Sequence, residues 1–345
     1  MHPPPDPGCS TTNAYDVVVV GRGAIGTLLA ARLARAKLSV GQVSSNLQAG
    51  IRKVSVREGR IAWHATVTAE HRLQVDGTIG ARLLILALKT PQLHRWLQHL
   101  QFTDLDLLPI VVAHNGLLDL ATAIPPVCQA VVNATVDCEG DAVICHAFDA
   151  ILLSENALRA SAGSLRSALI EAGFQFLPHE MFEVERWLKL VVATTGARMT
   201  LSDVSIGDAL ADCRLRSQLA DIVNESGRVI TAVIAAQLRA LFAARCNDLE
   251  MRFRTGMLFE TGPAAMRCAY PSLHRDLERR RETEIEALNG AIVALASRVG
   301  IEAPLNRFLR DEVRLMTKRA ATPPMAAQSR EMQQRLRSAF AEVRL

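Results

Sequence analysis

Two lysines, one glutamate and a glycine loop are the groups of this sequence best placed to do chemistry. Lys189 lies inside Trp187-Leu188-Lys189-Leu190-Val191-Val192. A lysine flanked by that much apolar surface either snorkels to water or is held for use, as a proton donor or a partner for a negative oxygen. Lys89 follows the apolar run Leu83–Leu88, and His114-Asn115-Gly116 follows the run 108–113. Both stand at the carboxyl ends of expected strands, where open α/β sheets bind ligands. The plainer readings are a solvated lysine and an ordinary Asn-Gly turn. Glu284 neighbours Thr283, and Thr283-x-x-Glu286 is a capping box ahead of an apolar periodic run. It predicts a helix from Thr283 with Glu284 in the first turn; the bland reading of residues 275–286 is a solvated charged face.

The glycine loop is Gly21-Arg22-Gly23-Ala24-Ile25-Gly26, directly after Val17-Val18-Val19-Val20 and ahead of Leu28-Leu29-Ala30-Ala31-Arg32-Leu33. A β-branched run, G-x-G-x-x-G and a helical run make a strand, a tight turn and a helix. The first glycine permits the turn, the second lets a pyrophosphate approach the backbone, and the third lets helix and strand pack closely. Phosphates then meet the free N–H groups and positive dipole of the helix N-terminus. An NAD site usually adds an acid about 20 residues further on. That stretch is Gln42-Val43-Ser44-Ser45-Asn46, without an acid. A 2′-phosphate meets no repulsion there, and Ser45, Asn46, Arg22 and Arg52 are candidate partners for it, so NADP is preferred to NAD.

These groups need two kinds of scaffold. Residues 17–20, 38–43, 51–56, 61–67, 83–88, 108–113, 131–136, 142–146 and 150–153 read as strands, and 24–36 and 93–100 as helices. The order is that of a doubly wound sheet with antiparallel additions. From Phe182 onward the periods are helical. Val184, Trp187, Leu188, Val191 and Val192 share one face; Ile222, Val229, Val233 and Ile234 mark a second helix. Ile285, Leu288, Ile292, Leu295 and Val299 mark a third, stopped by Gly300 and Pro304. The expected fold is thus a Rossmann-type α/β domain followed by an all-helical domain. The expected divisions are a disordered extension over 1–14, a dinucleotide-binding domain over 15–182, a helical substrate domain over 183–320, and a weakly amphipathic tail over 321–345.

The 345 residues are 49% hydrophobic and only 4% aromatic, so Leu, Val, Ile and Ala must fill the core. No apolar run reaches the ~18 residues of a membrane span, and the proline-rich start has no signal-peptide pattern. The net charge of +4 is too mild to argue for nucleic acid and suits anionic small molecules. Seven scattered cysteines without C-x-x-C fit reduced, mostly buried thiols in a cytoplasmic protein, with no metal site.

Together these pieces resemble the ketopantoate reductase (2-dehydropantoate 2-reductase) family over about residues 15 to 315. The resemblance rests on the glycine loop, Lys89, His114-Asn115-Gly116, Trp187-Leu188-Lys189-Leu190, and Ser272-(x)3-Asp276-(x)6-Thr283-Glu284-Ile285-(x)3-Asn289-Gly290. It implies reduction of a 2-oxo acid by NADPH in a cleft between a Rossmann and a helical domain. It further implies that Lys189 is the catalytic proton donor and that Glu284 contacts the reacting oxygen. Lys89 and Asn115 become cleft residues near nicotinamide and substrate, and Ser272 a binder of the substrate carboxylate. A hydride delivered to a carbonyl carbon leaves charge on oxygen, which a nearby ammonium stabilises and protonates. The expected partners are a small anionic substrate and a second copy of the chain as a homodimer.

The sequence also departs from the family. Members usually carry Asn four residues after the lysine and Asn-Pro beginning eight after it; here stand Ala193 and Ala197-Arg198. The arginine common at the end of the second strand is missing, with Ser45 near its place. The expectation is therefore a family-like reductase of a C=O or C=N compound with an altered substrate. The alternatives are true 2-dehydropantoate 2-reductase and a catalytically idle NADPH-binding protein. One geometric condition follows. In an unbroken helix Ser272 and Glu284 would lie about 18 Å apart, at ~1.5 Å per residue. Both reach one small ligand only if the chain turns between them, although Glu278-Arg279-Arg280-Arg281 holds no breaker.

Overall fold

The computed structural model describes residues 15–44, 48–70, 81–99, 108–116, 127–158, 163–258, 266–318 and 330–342. Strand β1 (Tyr15–Val20) runs into helix α1 (Ala24–Arg35) and then β2 (Val40–Val43). β3 (Gly50–Glu58) and β4 (Ile61–Glu70) form a hairpin. β5 (Ala81–Leu86), α2 (Thr90–His99) and β6 (Ile110–Ala113) follow. β7 (Val127–Glu139) and β8 (Ala142–Ser154) form a long antiparallel hairpin; α3 (Arg166–Glu171) leads to β9 (Phe174–Leu177). Residues 142–146 and 150–153, read from sequence as two strands, are one. Register shifts bend the hairpin at Val132/Ala134 and Thr135/Val136 without ending it.

The sheet order is β3-β4-β2-β1-β5-β6-β7-β8-β9. Its middle, β4-β2-β1-β5-β6-β7, is parallel throughout and has the 3-2-1-4-5-6 order of a dinucleotide-binding fold. The valine run explains the layers. Val17 and Val19 pack with Leu28, Leu29 and Leu33 of α1, while Val18 and Val20 pack with Leu93 on α2. Successive strand residues face opposite sides, so a strand covered on both must be apolar throughout. An additional parallel pairing of Ser55–Glu58 with Ala142–Cys145 joins β3 to β8 and closes eight strands into a ring. Helix α1 packs on β1, β2, β3, β4, β7 and β8, inside that ring.

Helical structure begins at His179, slightly before the boundary expected at 182, because Phe174–Leu177 still belongs to the sheet. The helices are α4 (His179–Thr194), α5 (Gly196–Leu201), α6 (Ile206–Ala211), α7 (Cys213–Val233), α8 (Arg239–Thr255), α9 (Ser272–Glu278), α10 (Ala291–Val299), α11 (Pro304–Lys318) and α12 (Arg330–Glu342). The expected apolar faces form one core, except Val192, which is half-buried outside it, and Val299, which lies exposed just before the left-handed Gly300. The tail is anchored: Leu336 and Phe340 of α12 are buried in this core, and Arg335 pairs with Glu312.

A polar knot lies inside the helical core. Glu225 accepts hydrogen bonds from the backbone N–H of Leu305 (2.9 Å) and Asn306 (2.8 Å) and from Asn306 Nδ2 (2.8 Å). It thereby satisfies N–H groups at the start of α11 that have no helical acceptor. Asn306 Nδ2 also donates to Ser226 (3.1 Å), and Asn289 Nδ2 donates to Asn306 Oδ1 (2.9 Å) and to the Thr194 carbonyl (3.1 Å). The Asn289-Gly290 pair of the sequence pattern is thus a tie between elements.

Two local expectations are corrected. No helix starts at Thr283; residues 281–284 are irregular, and a π-turn over Glu286–Gly290 precedes α10. Glu284 turns to Thr90 and Glu286 to Arg314 (3.0 Å), so neither carboxylate folds back onto Thr283. The cysteines are also less buried than expected. Of the six described, Cys145 and Cys246 are buried, Cys128 and Cys138 half-buried, and Cys213 and Cys268 exposed, all as free thiols. No cluster of metal-ligating side chains occurs among the described residues, and no described helix is long and apolar enough to cross a membrane.

Candidate active site

The glycine loop fits a dinucleotide in its details. Gly21 has φ +122°, and a Cβ there would run into the Ala87 carbonyl. A Cβ on Gly26 would come within 2.5 Å of the Gly21 carbonyl, whereas one on Gly23 meets nothing within 4 Å. The middle glycine therefore faces open space at the mouth of α1. Gly23 is also the N-cap of α1, with no capping side chain and no acid in the first turn. The first N–H groups of the helix are left for an anion. Ala24 and Ile25 complete the loop as the first turn of α1.

Charged groups brace this loop from behind. Gln42, fully buried on β2, donates to the Gly21 carbonyl (2.9 Å) and accepts from Arg52 (2.6 Å). Arg52 is ion-paired with Asp141 at the β7–β8 turn, and Arg22 lies 3.6 Å from the same carboxylate. Arg52 holds Asp141 below the usual carboxylate range, with Arg22 adding to the effect. Both candidate phosphate partners thus already share an internal acid. Ser45 and Asn46 lie outside the described residues.

The strand ends meet the helical domain. Lys89 is ion-paired with Asp276 of α9. Thr90, the first residue of α2, gives its backbone N–H and its hydroxyl to Glu284 Oε1, each at 3.2 Å. The Thr90 hydroxyl also meets His114 Nε2 at 3.1 Å. With that hydroxyl donating to the carboxylate, its oxygen is left to accept from His114 Nε2–H. Gly116 has φ +117°, and a Cβ there would lie 2.8 Å from the Ala287 carbonyl in the π-turn. Glycine is what lets the two domains close this tightly. Arg275 adds a bidentate pair to Asp137 of β7, at 3.1 and 3.2 Å.

Burial tunes the titrating groups. It pushes the Glu284 and Asp276 carboxyls up, against the pull of Lys89 on both. It holds buried His114 down to about 4, so the ring is neutral at pH 7. It brings Lys189 down to about 8. Lys189 has no hydrogen bond or ion pair among the described residues, to Glu284 or any other group. Its helix packs on β7, β8 and the π-turn.

Not all expected residues converge. Lys89, Asn115 and Glu284 share the domain junction. Asn115 is half-buried, with no hydrogen bond among the described residues. Ser272 starts α9 and is exposed. The chain does turn between Ser272 and Glu284. Arg280 has φ +52°, and the N–H of Arg281 returns to the Asp276 carbonyl at 2.8 Å. An arginine here takes the left-handed place that glycine usually fills after a helix. Ala197 is fully buried in the helical core. Arg198 points into that same core, away from the junction. Sequence reasoning missed Thr90 and the part His114 plays through it; a hydroxyl directly after a strand-end lysine was the available signal.

Family models match residues 17–154, as ketopantoate reductase PanE/ApbA, and 181–317, as its C-terminal domain. The chain belongs to the ketopantoate reductase family. That family is one of oxidoreductases acting on a keto group. Three solved structures share its fold. Ketopantoate reductase of Staphylococcus aureus, described as dimeric, is 17% identical with a TM-score of 0.63, over 88% of this chain and 99% of that one. A PanE/ApbA family ketopantoate reductase of Ralstonia eutropha JMP134 is 20% identical with a TM-score of 0.68, over 89% and 99%. D-mandelate dehydrogenase in a ternary structure with NADH and anilino(oxo)acetate is 20% identical with a TM-score of 0.69, over 89% and 100%. Curated proteins give no match by sequence.

Proposed function

We propose that this chain is an NADPH-dependent reductase of a 2-oxo acid or a related C=O or C=N compound, with a substrate other than ketopantoate. The observation that carries the reading is Lys189, an ammonium brought to about 8 by burial, on a helix packed on the sheet and the π-turn. An unperturbed lysine near 10.4 is a reluctant acid at neutral pH; one near 8 gives up a proton readily while staying mostly charged at pH 7.

Gly21 to Gly26 would hold the dinucleotide, whose nicotinamide supplies a hydride when bound. Lys89 and Asn115 orient the substrate at the strand ends, and Ser272 takes its carboxylate. Lys189 protonates the oxygen or nitrogen that gains charge. Glu284 fixes the reacting group through Oε2, which has no partner among the described residues. The preference for the 2′-phosphate rests on the absence of an acid at the end of β2. The D-mandelate dehydrogenase likeness fits the general reading, since that enzyme was solved with NADH and an oxo acid derivative. The dimer and the cytoplasm are part of the same proposal.

NADPH oxidation across a panel of 2-oxo acids tests this. We expect turnover with some of them and a kcat/KM for ketopantoate below roughly 10⁴ M⁻¹s⁻¹, because two family amides are replaced by Ala193 and Ala197. Efficient ketopantoate reduction would restore the family's own substrate. No turnover with any compound, together with tight NADPH binding, would make this an idle binding protein.

A further inference from the structure

A cavity lies between the tail helix α12 and helices α5 and α7. Its volume is about 210 Å³, and Arg198, Arg214, Arg337, Gln218, Gln333 and Asp212 supply its polar lining. At ~30 Å³ per water, it has room for a small solute and its hydration, not for a dinucleotide.

Its charges are unbalanced. Arg198 is only 3% exposed. Its Nε and Nη2 donate to Gln218 Oε1 at 3.0 and 2.6 Å, its Nη1 bonds the Ser202 hydroxyl, and its guanidinium stands 5.6 Å from the Phe340 ring. Every one of these partners is neutral. A buried charge ordinarily has a counter-ion, because removing it from water is costly. Among the described residues no carboxylate pairs with Arg198, Arg214 or Arg337. The single acid of the lining, Asp212, accepts from the backbone N–H groups of Arg214 and Leu215, both at 2.8 Å, as the N-cap of α7. Gln218 gives its oxygen to Arg198, which leaves its NH₂ as a further donor. Burial, with Arg214 close by, pulls Arg198 down to about 10, and the attraction of Asp212 only partly offsets them.

We infer that this cavity binds a small dianion, of phosphate or dicarboxylate chemistry, which supplies the missing counter-charge and clamps α12 onto the helical domain. The site stands independently of the proposed reductase activity, since it uses none of its residues.

The test is calorimetric titration and thermal unfolding of the full-length chain with inorganic phosphate, and separately with malonate, against sodium chloride at matched ionic strength. Saturable binding and a melting temperature that rises with ligand beyond the chloride control are expected. Response to both ligands supports the dianion class; response to one alone narrows it to tetrahedral oxyanions or to dicarboxylates. The double variant Arg214→Gln, Arg337→Gln changes two exposed side chains. It should unfold at the wild-type temperature without ligand and bind at least tenfold more weakly. Two results overturn the site: no saturable response beyond chloride, or undiminished binding by the double variant, which would place the anion elsewhere, such as on the glycine loop.

Discussion

Two buried glutamates of this protein, Glu225 and Glu284, meet opposite fates. Burial pushes both carboxyls up. Glu225 has both oxygens filled: Oε1 by two donors of Asn306 and Oε2 by Leu305. Its donors are neutral groups of the elements it joins, and nothing is left over. Glu284 has one oxygen doubly bound by Thr90 and the other without a partner among the described residues, with Lys89 near enough to oppose the effect of burial. The first arrangement is complete without a ligand; the second has room for one under the proposed function. A buried polar group with a spare bonding site is costly to fold, so its retention at a domain junction points to use.

The difference is open to mutation. The largest effect is expected at Lys189, which shares with Glu284 the lack of a full set of partners. Lys189→Ala should lower turnover by ~10²–10⁴-fold, the ordinary weight of general acid catalysis, with NADPH affinity little changed in a fluorescence titration. In the wild type, kcat should fall as pH rises through about 8, because the acid form is the ammonium. Near-normal turnover of the alanine variant would return Lys189 to a packing role.

The two glutamates should then separate by the quantity they move. Glu225→Ala strands three donors whose loss costs ~1–3 kcal/mol apiece before relaxation. We expect a stability loss of about 2–4 kcal/mol in urea unfolding, with kcat per folded molecule unchanged. Glu284→Gln should do the reverse: more than tenfold lower kcat and a stability change under ~1 kcal/mol. A pair of variants that lose stability and turnover alike would erase the distinction.

The smallest expected effect is at the relay. Thr90→Val keeps the backbone N–H to Glu284 and removes the hydroxyl between Glu284 and His114. One hydrogen bond to a charged group is worth ~1.5–3 kcal/mol at most. A fall in kcat of about tenfold, with KM nearly constant and rescue by Thr90→Ser, is the expected pattern in steady-state kinetics.

What the sequence revealed follows the range of the forces involved. The glycine loop, the strand-end lysine and most of the helical faces are local patterns, and these stood where expected, Val192 and Val299 apart. The single β8 was hidden because its middle, Ala147-Phe148-Asp149, breaks the alternation of the strand within a bent hairpin and is not a gap. The β3–β8 pairing joins segments far apart in the chain, and no local period encodes it. At Arg280 a positive φ is carried by a residue that does not advertise it. At Thr283 a local capping signal lost to a contact across the domain junction, where Glu284 bonds Thr90. The partners of Lys89 and Glu284 lie on the other domain, so the types of these residues were legible while their company was not.

The ring of strands around α1 has a consequence for how the molecule comes together and comes apart. A helix enclosed on nearly all sides cannot be inserted once the ring has closed. The βαβ unit around the glycine loop must therefore be assembled before the tip of the β7–β8 hairpin reaches β3. Conversely, α1 cannot fray alone: beyond its open first turn, its hydrogen-bonded amides become accessible to solvent deuterons only when the ring opens, and they should be among the slowest in the chain to exchange. The face proposed to greet the phosphates is thereby mounted on the part of the protein expected to breathe least, while the groups proposed to meet the substrate sit where two bodies touch.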